Sequence, residues 1–407
     1  MTRKRDVSID RFRGFVIIST IILQIWKDFD NLEFLSRLGN HSVSHGFQIF
    51  EGLQFIDVFA PMFLFAIALT YKKSFNNRCI VNGSKGTFQH FIIRNISLIG
   101  IGGIIRGIES FIYYLNNGFV ENKIDYIFFA AMLFLLIIAI LTVIGCLKSS
   151  HRMKKIFSNL LVAIVGLIAF LCAVSAARDF LVQIVYPENY DFKPWGYWEA
   201  LQAIGAAGLV TMLFIKYSSL KRFVVASVFF VIYIILHETG NCSTIISVYA
   251  QQGGFLGVIG QTCILMFGTV LADLYNNSEK NLTKYFFTLQ GFGIASGIMM
   301  QYILPTMRSV SPSYILLNVY ISGSLYMLVW AFRNLKIKFD LLEMLGKNCL
   351  SVYILQYVLI YGTKELIGYD VLKSASDIFA MMFTILMVSI LSVFVYVLNK
   401  KNIIIKL

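Results

Sequence analysis

The chain has 407 residues, of which 57% are hydrophobic and 14% are charged, and its mean hydropathy is +0.72. A soluble domain carries about 25% charged residues, so the composition excludes a soluble fold and indicates a polytopic membrane protein. The net charge of +13 follows the membrane topology described below and gives no evidence for a nucleic-acid partner; the partner that it favours is the lipid bilayer.

Twelve apolar stretches are long enough to cross a bilayer, which requires about 20 residues per helix. Because backbone polar groups in lipid must be paired within the protein, these stretches predict an all-α, polytopic membrane helical bundle of about 11–12 spans. We expect one domain over residues 1–407. The predicted spans are 12–27, 53–71, 91–115, 124–147, 156–177, 197–215, 222–237, 255–275, 285–304, 314–332, 341–361 and 377–398.

The lysines and arginines orient these spans. With a cytoplasmic N-terminus, 24 of the 35 basic residues fall on inside segments, 8 fall on outside segments, and three lie within or at the edges of spans. This bias predicts a multi-pass protein of the plasma membrane, with segment 28–52 outside and the polar connection 72–90 inside. The spacing of the six cysteines predicts neither an external disulfide nor a metal site.

Two unusual polar segments border the first two spans. The segment SIDRFRG, from Ser8 to Gly14, leads directly into the first span. The segment HSVSHGFQIFEGLQFIDVFAPMFLF, from His41 to Phe65, carries two histidines before an apolar helix that contains Asp57. A carboxylate is costly in such a helix, so we expect Asp57 to have a function.

These segments resemble two sequence blocks of the transmembrane acyltransferases related to heparan-α-glucosaminide N-acetyltransferase. SIDRFRG matches the block S-x-D-x-x-R-G, and the run from Gly52 to Phe65 matches G-L-x-x-x-D-x-x-x-P-x-F-x-F. A late segment, LGKNCLSVYILQ, ends in Gln356 where the family block commonly ends in histidine, and WEALQAIG, from Trp198, is similar to a central segment.

The resemblance implies transfer of an acyl group, usually acetyl, from cytosolic acyl-CoA to an extracytoplasmic sugar of a glycan or glycolipid. The family histidine lies five residues before the block glycine, whereas His45 and His41 lie seven and eleven residues before Gly52. His45 is therefore the first candidate for the general base or acyl carrier, and His41 is the second, since an imidazole can take a proton near neutral pH.

Other residues are expected to assist at the outer end. Asp57 could orient the imidazole or hold an amine substrate; the alternatives are a pairing with Arg106 or a helix-capping contact. Gln24 stands where the family has asparagine and is expected to contact the substrate. Glu51 lies near the same surface and either contacts the acceptor or is merely solvated.

Residues near the cytosolic side are expected to hold the acyl-CoA. Asp10 and Arg13 could bind its phosphates or form a structural salt bridge. Arg106 lies near the middle of the third span, which four glycines make thin, so that the helix could either pack closely or line a channel. Lys347 and Asn348 open the eleventh span and could meet a phosphate or anchor the helix at the interface.

Two other functions compete with acyl transfer. A transporter or flippase without chemistry would also suit twelve spans, although the two halves show no detectable repeat. A second family of membrane acyltransferases carries an arginine and a histidine in its first span, whereas this first span has Arg13 and no histidine follows before His41. The acceptor, the acyl chain, the acylated atom and the formation of a homodimer stay open.

Overall fold

The computed structural model describes residues 6–29, 33–41, 48–117, 134–135, 137–138, 142, 156, 159–171, 173–174, 200–239, 251–276, 282–335 and 340–401. Nearly all of these residues are helical, which confirms the predicted all-α membrane bundle. Within this part of the chain, five stretches are apolar and long enough to cross a membrane. They are Phe55–Ile105, Ser219–Glu238, Gly254–Tyr275, Pro312–Ala331 and Asp377–Lys400.

The described helices follow most of the predicted spans. A short antiparallel hairpin of β1 (Gln48–Phe50) and β2 (Leu53–Gln54) and a 3-10 turn (Phe55–Val58) precede the third helix. The predicted span 124–147 lies almost entirely outside the described residues. The helices are α1 (Val7–Trp26), α2 (Glu33–Gly39), α3 (Phe59–Asn117), α4 (Asn159–Leu171), α5 (Ala200–Phe214), α6 (Ser219–Glu238), α7 (Gly254–Asn276), α8 (Leu282–Met300), α9 (Pro312–Ala331), α10 (Leu341–Lys347), α11 (Cys349–Ile367), α12 (Tyr369–Lys373) and α13 (Asp377–Lys400).

The predicted polar connection 72–90 is helical, so the expectation of a loop there was wrong. Helix α3 runs through this segment and is interrupted at Gly83, whose φ of 68° and ψ of 172° are accessible essentially to glycine alone. The charged residues of the segment suggested a loop, but lysine and arginine are also good helix formers on a solvated face. The second and third predicted spans therefore correspond to the parts of α3 before and after Gly83.

The predicted span 341–361 is divided into two helices. Helix α10 ends at Lys347, and α11 begins at Cys349, because Asn348 has a non-helical backbone with φ −121° and ψ 30°. A hydrophobic pattern cannot register a single non-helical residue, so the sequence predicted one continuous helix. Lys347 consequently lies at the end of a short helix and does not open a long one.

Contacts group the chain into two units. The first comprises Met1–Tyr71, Phe267–Met307 and Ser311–Leu407, and the second comprises Lys72–Met266 and Arg308–Val310. The core of the first unit is an apolar cluster contributed by α1, α10, α11 and α13. Its members include Ile17, Ile21, Ile25, Met344, Val352, Ile360, Phe383 and Leu391.

In the first unit, two glycines bring α1 and α10 into backbone contact. A Cβ added to Gly14 would lie 1.9 Å from the carbonyl oxygen of Leu342, and one added to Gly346 would lie 1.8 Å from that of Asp10. Both distances are far below any possible contact, so only glycine fits at either position. The SIDRFRG segment and the LGKN segment therefore pack directly against each other.

Arg11 fastens α1 to the end of α9 in the same unit. Its guanidinium donates hydrogen bonds to the backbone carbonyls of Phe332, Arg333 and Leu335 at 3.0, 3.3 and 2.7 Å. Its Nε lies 2.5 Å from Oδ2 of Asp340. Phe332 is the C-cap residue of α9 and the other two carbonyls follow it, so Arg11 satisfies backbone just past the end of α9 and is not merely a charge flanking a membrane span.

In the second unit, two glycines of α3 serve close packing. A Cβ on Gly100 would lie 2.4 Å from the carbonyl oxygen of Val165 on α4. A Cβ on Gly102 would lie 2.5 Å from Oε1 of Gln202 on α5. Of the two interpretations of this thin helix, close packing is therefore the one that these two glycines support.

Candidate functional site

Asp57 lies in the 3-10 turn before α3, and only 2% of its surface is exposed. Its Oδ2 accepts a hydrogen bond from the backbone N–H of Gln54 at 3.1 Å, and its Oδ1 lies 2.6 Å from Nδ1 of His41. The hydroxyl of Tyr314, on α9, donates to the backbone carbonyl of Asp57 at 2.7 Å. The expected capping contact is thus present, together with a contact to an imidazole.

The contact between His41 and Asp57 determines the chemistry of the imidazole. An ionised carboxylate only accepts hydrogen bonds, so Nδ1 of His41 carries a proton, and in the neutral imidazole Nε2 keeps a lone pair. The His41 side chain is 38% exposed, whereas that of Asp57 is 3% exposed. A buried carboxylate therefore orients a partly exposed histidine that can accept a proton at its other nitrogen.

The other residues predicted to act at the outer end are His45, Glu51 and Gln24. His45 lies outside the described residues, so its candidacy stays a prediction, and Glu51 is exposed in the turn between β1 and β2. Gln24 is half-buried near the end of α1, where its backbone carbonyl accepts a hydrogen bond from Nζ of Lys364 at 2.8 Å. Lys364 also pairs with Asp28 and is completely buried. Sequence reasoning missed this ion pair because its members are far apart along the chain.

Asp10 and Arg13 lie together, as their spacing suggested. Nη1 of Arg13 is 3.8 Å from Oδ1 of Asp10. Nη2 of Arg13 donates hydrogen bonds to Oγ1 of Thr70 at 2.7 Å and to the carbonyl of Ala66 at 3.1 Å, which joins α1 to α3. The expected structural salt bridge is present, and the Arg13 side chain remains 18% exposed.

The other residues predicted to bind acyl-CoA are Lys347, Asn348 and Arg106. Lys347 forms an ion pair with Glu343, one turn earlier on α10, at 2.6 Å, and its side chain is 23% exposed. Asn348 is buried, and its side chain makes no capping hydrogen bond to α11. Arg106 lies on α3, but its side chain is outside the described part of the chain.

A line of polar residues along α9 was missed by the sequence analysis. Tyr314, Asn318, Ser322 and Tyr326 follow one another at intervals of four residues, and each is at most 1% exposed. Such residues share one helix face, and twelve residues of helix span about 18 Å. The line begins at Tyr314, beside Asp57, and ends at Tyr326, whose hydroxyl lies 3.3 Å from Oγ of Ser8. The spacing of polar residues within an apolar span was the available signal.

Two atoms in this polar line have no hydrogen-bond partner among the described residues: Oδ1 of Asn318 and Oγ of Ser322. Other helical hydroxyls in the first unit bond to the carbonyl one turn earlier, as Thr20 and Thr384 do at 2.8 Å. Buried polar atoms in proteins are normally satisfied by protein, water or ligand. The two open positions are therefore places where water or a polar ligand would be stabilised.

Gln356, which stands where the family block commonly has histidine, is another buried polar residue. It lies on α11, is completely buried, and neither its Oε1 nor its Nε2 has a hydrogen-bond partner within the described ranges. Val352 and Ile360, one turn before and after it, belong to the apolar core. A carboxamide in such surroundings has an unmet demand for both a donor and an acceptor.

No family model matches this chain, and no curated protein matches it. Across the described residues, there is also no group of three or more His, Cys, Asp or Glu side chains that could hold a metal ion. The His41–Asp57 pair and the polar line along α9 are the structural features that point to a function.

Proposed function

We propose that the protein is a membrane acyltransferase that moves an acyl group, most simply acetyl, from cytosolic acyl-CoA to an extracytoplasmic sugar. In this reaction a hydroxyl or amine of the acceptor attacks the thioester carbonyl. A new C–O or C–N bond forms and the C–S bond breaks. Nε2 of His41 takes the acceptor's proton and passes it to the departing CoA thiolate, so that the histidine is regenerated.

The contact between His41 and Asp57 is the observation that carries this proposal. A partly exposed imidazole held at 2.6 Å by a carboxylate that is 3% exposed is arranged as a general base needs to be. A buried carboxylate at the start of an apolar helix is otherwise expensive. The N–H of Gln54 donates to the Asp57 carboxylate, and the hydroxyl of Tyr314 donates to the Asp57 backbone carbonyl. The same arrangement would serve a sugar acceptor entering from the side on which His41 is exposed.

The N-terminal end of α1 supports binding of the acyl-CoA phosphates. Arg13 lies beside the carboxylate of Asp10, and the backbone carbonyl of Asp10 is in contact with Gly346, which precedes Lys347. Two partly exposed cations therefore lie near one segment of backbone. Arginine and lysine are the side chains that bind diphosphate and monophosphate groups.

The polar line along α9 supports a path for the pantetheine arm between the N-terminal end of α1 and the His41–Asp57 pair. A pantetheine arm contains two amides, which could satisfy Oδ1 of Asn318 and Oγ of Ser322 inside an apolar helix bundle. In the proposed orientation the N-terminus is cytoplasmic, the enzyme is in the plasma membrane, and the acceptor approaches the His41 end from outside.

Acetyl transfer by the purified, full-length protein tests the proposal. Radiolabelled acetyl-CoA would be supplied with glucosamine and with cell-envelope glycans as trial acceptors, and both labelled product and released CoA thiol would be measured. His41→Ala should lower the rate by about 100-fold or more. His90→Ala is the matched control, because His90 belongs to the second unit and no step of the proposed reaction uses it. Equal activity of the His41 variant and the control would remove His41 from the mechanism.

A transporter or flippase is the second candidate, and the polar line along α9 is the observation that favours it. Buried polar residues on one helix face can line a path for a polar solute as well as for a pantetheine arm. The two functions differ in covalent chemistry. Movement of labelled glycan across proteoliposomes without any acetyl-CoA consumption would establish transport and refute acyl transfer.

A further inference from the structure

A second histidine–carboxylate pair lies at the end of α6, in the second unit, and no step of the proposed acyl transfer uses it. Nδ1 of His237 is 2.7 Å from Oε1 of Glu238, and Nε2 of His237 is 3.1 Å from Oγ of Ser309. Ser309 is 2% exposed and the His237 side chain is 8% exposed, whereas that of Glu238 is 50% exposed. A serine, a histidine and a glutamate thus form one chain of hydrogen bonds.

The glutamate determines the direction of these hydrogen bonds. Because the Glu238 carboxylate accepts, Nδ1 of His237 carries a proton, and in the neutral imidazole Nε2 then accepts the hydrogen bond from the hydroxyl of Ser309. A serine hydroxyl that donates to a neutral imidazole, whose other nitrogen donates to a carboxylate, is the arrangement of an activated serine nucleophile. Such arrangements occur on unrelated folds and are recognised by their geometry.

The backbone around Ser309 is held in an unusual conformation. Val310 has a φ of +51°, a value that is rare for a β-branched residue. Gly253 packs against it, since a Cβ on Gly253 would lie 2.9 Å from Cγ2 of Val310, and the Gly253 N–H donates to the carbonyl of Arg308 at 2.7 Å. The hydroxyl of Tyr233 donates to the carbonyl of Ser309 at 2.6 Å. Strain that neighbouring elements maintain is typical of functional positions.

We propose that Ser309, His237 and Glu238 form an esterase site that acts on esters of short acyl groups. Oγ of Ser309 attacks the ester carbonyl, a C–O bond to the serine forms, and the C–O bond to the alcohol breaks. His237 takes the serine proton and gives it to the departing alkoxide. Water then attacks the acyl-serine, His237 takes its proton and returns one to Oγ, and a carboxylic acid is released. The deep burial of Ser309 and the close contact at Gly253 favour a small acyl group.

This site is independent of the proposed transfer at His41, so the two can fail separately. The full-length protein in detergent would be treated with p-nitrophenyl acetate and, in a parallel sample, with a fluorophosphonate probe. We expect nitrophenol release and covalent labelling at Ser309, mapped by mass spectrometry of the digested protein. Ser309→Ala should abolish the label, and His237→Gln should slow both reactions by about 100-fold or more.

Ser392→Ala is the matched control, because the Ser392 hydroxyl only donates a hydrogen bond to the carbonyl of Val388, within its own helix. This substitution should leave both reactions unchanged. Glu238 acts as a positioning residue, so Glu238→Gln should slow labelling, and Glu238→Asp, which keeps a carboxylate, should restore part of the rate. Ser309→Cys provides a test that retains the local shape: this cysteine should react with iodoacetamide faster than Cys79. A folded wild-type protein that takes no label at Ser309, or equal labelling of Ser309→Ala, would overturn the proposal.

Discussion

The carbonyl oxygen of Asp10 lies only 1.8 Å from the point that a Cβ on Gly346 would occupy, so helices α1 and α10 are in backbone contact at this position. Asp10 also lies beside Arg13, and Gly346 precedes Lys347. The glycine contact therefore determines how near the two cations proposed to bind phosphate lie to each other. Helix packing and the proposed phosphate site are therefore linked through one backbone atom.

Gly346→Ala should destabilise the protein, because neither backbone can move aside without disturbing the hydrogen bonds of its helix. Overpacking usually costs about 1–3 kcal/mol, and a clash with backbone belongs at the upper end of that range. The measurement is thermal unfolding in detergent.

Gly362→Ala is the control for this substitution, since Gly362 lies on α11 with no atom near its missing Cβ. Alanine there should raise the melting temperature slightly, because glycine is the poorer helix former by about 1 kcal/mol. A Gly346→Ala protein as stable as the wild type would show that α1 and α10 are not in backbone contact at this position.

Membrane orientation can be tested by cysteine labelling from outside intact cells. In a cysteine-free background, Glu51→Cys should react with an impermeant maleimide, because Glu51 is exposed in the turn before α3 and segment 28–52 is predicted to be external. Ser84→Cys, which is exposed beside the interruption of α3 at Gly83, should react only after the cells are opened. The reverse pattern would invert the topology and put His41 on the cytoplasmic side.

Much of the fold was predictable because lipid leaves few choices for an apolar chain. Hydropathy predicted most of the described helices. It missed the helical segment 72–90 because that segment is charged, and it missed the break at Asn348 because the break depends on one backbone conformation. The sequence also indicated Asp57 as a functional residue, because a carboxylate stands out in an apolar helix. It ranked His45 above His41 by spacing to Gly52, and that spacing carries no information about which imidazole meets the carboxylate.

Contacts between residues that are far apart along the chain could not be predicted from local sequence patterns. Arg11 is one of the basic residues near the first predicted span, yet it binds the backbone after α9, more than three hundred residues away in the sequence. The pairing of Lys364 with Asp28 and the contact of Tyr314 with Asp57 are equally remote along the chain. Local pattern predicts which residues are unusual, whereas tertiary packing decides what they touch.

Asn318→Leu should separate stability from activity. Replacing a buried carboxamide whose Oδ1 has no partner among the described residues removes an unsatisfied polar atom, which costs about 1–3 kcal/mol when it is left buried. We therefore expect an equal or higher melting temperature.

Acetyl transfer by Asn318→Leu should fall, mainly through a higher KM for acetyl-CoA, if Asn318 receives an amide of the pantetheine arm. Ser296→Ala on α8 is the control, because its hydroxyl is satisfied by the carbonyl of Gly293. Unchanged kinetics in Asn318→Leu would exclude a pantetheine route along α9.

The coupling between His41 and Asp57 can be measured with single and double substitutions. Asp57→Asn keeps the shape of the side chain but replaces the acceptor of the Nδ1 proton with an amide that can also donate, so the required tautomer is no longer enforced. We expect a loss of transfer rate smaller than that caused by His41→Ala, where the base itself is removed. Because Asp57 acts only through the imidazole, the double variant should be no slower than His41→Ala alone.

Stability must be followed in the same proteins, since Asp57 also accepts the hydrogen bond from the N–H of Gln54. The asparagine retains an oxygen for that contact, so a large fall in melting temperature is not expected. Additive losses in the double variant would mean that Asp57 contacts the substrate independently of His41, as it would if it held an amine acceptor. Full activity of His41→Ala with loss in His45→Ala would transfer the role of the base to His45. Activity that survives all of these substitutions would leave no histidine in the mechanism and would favour transport.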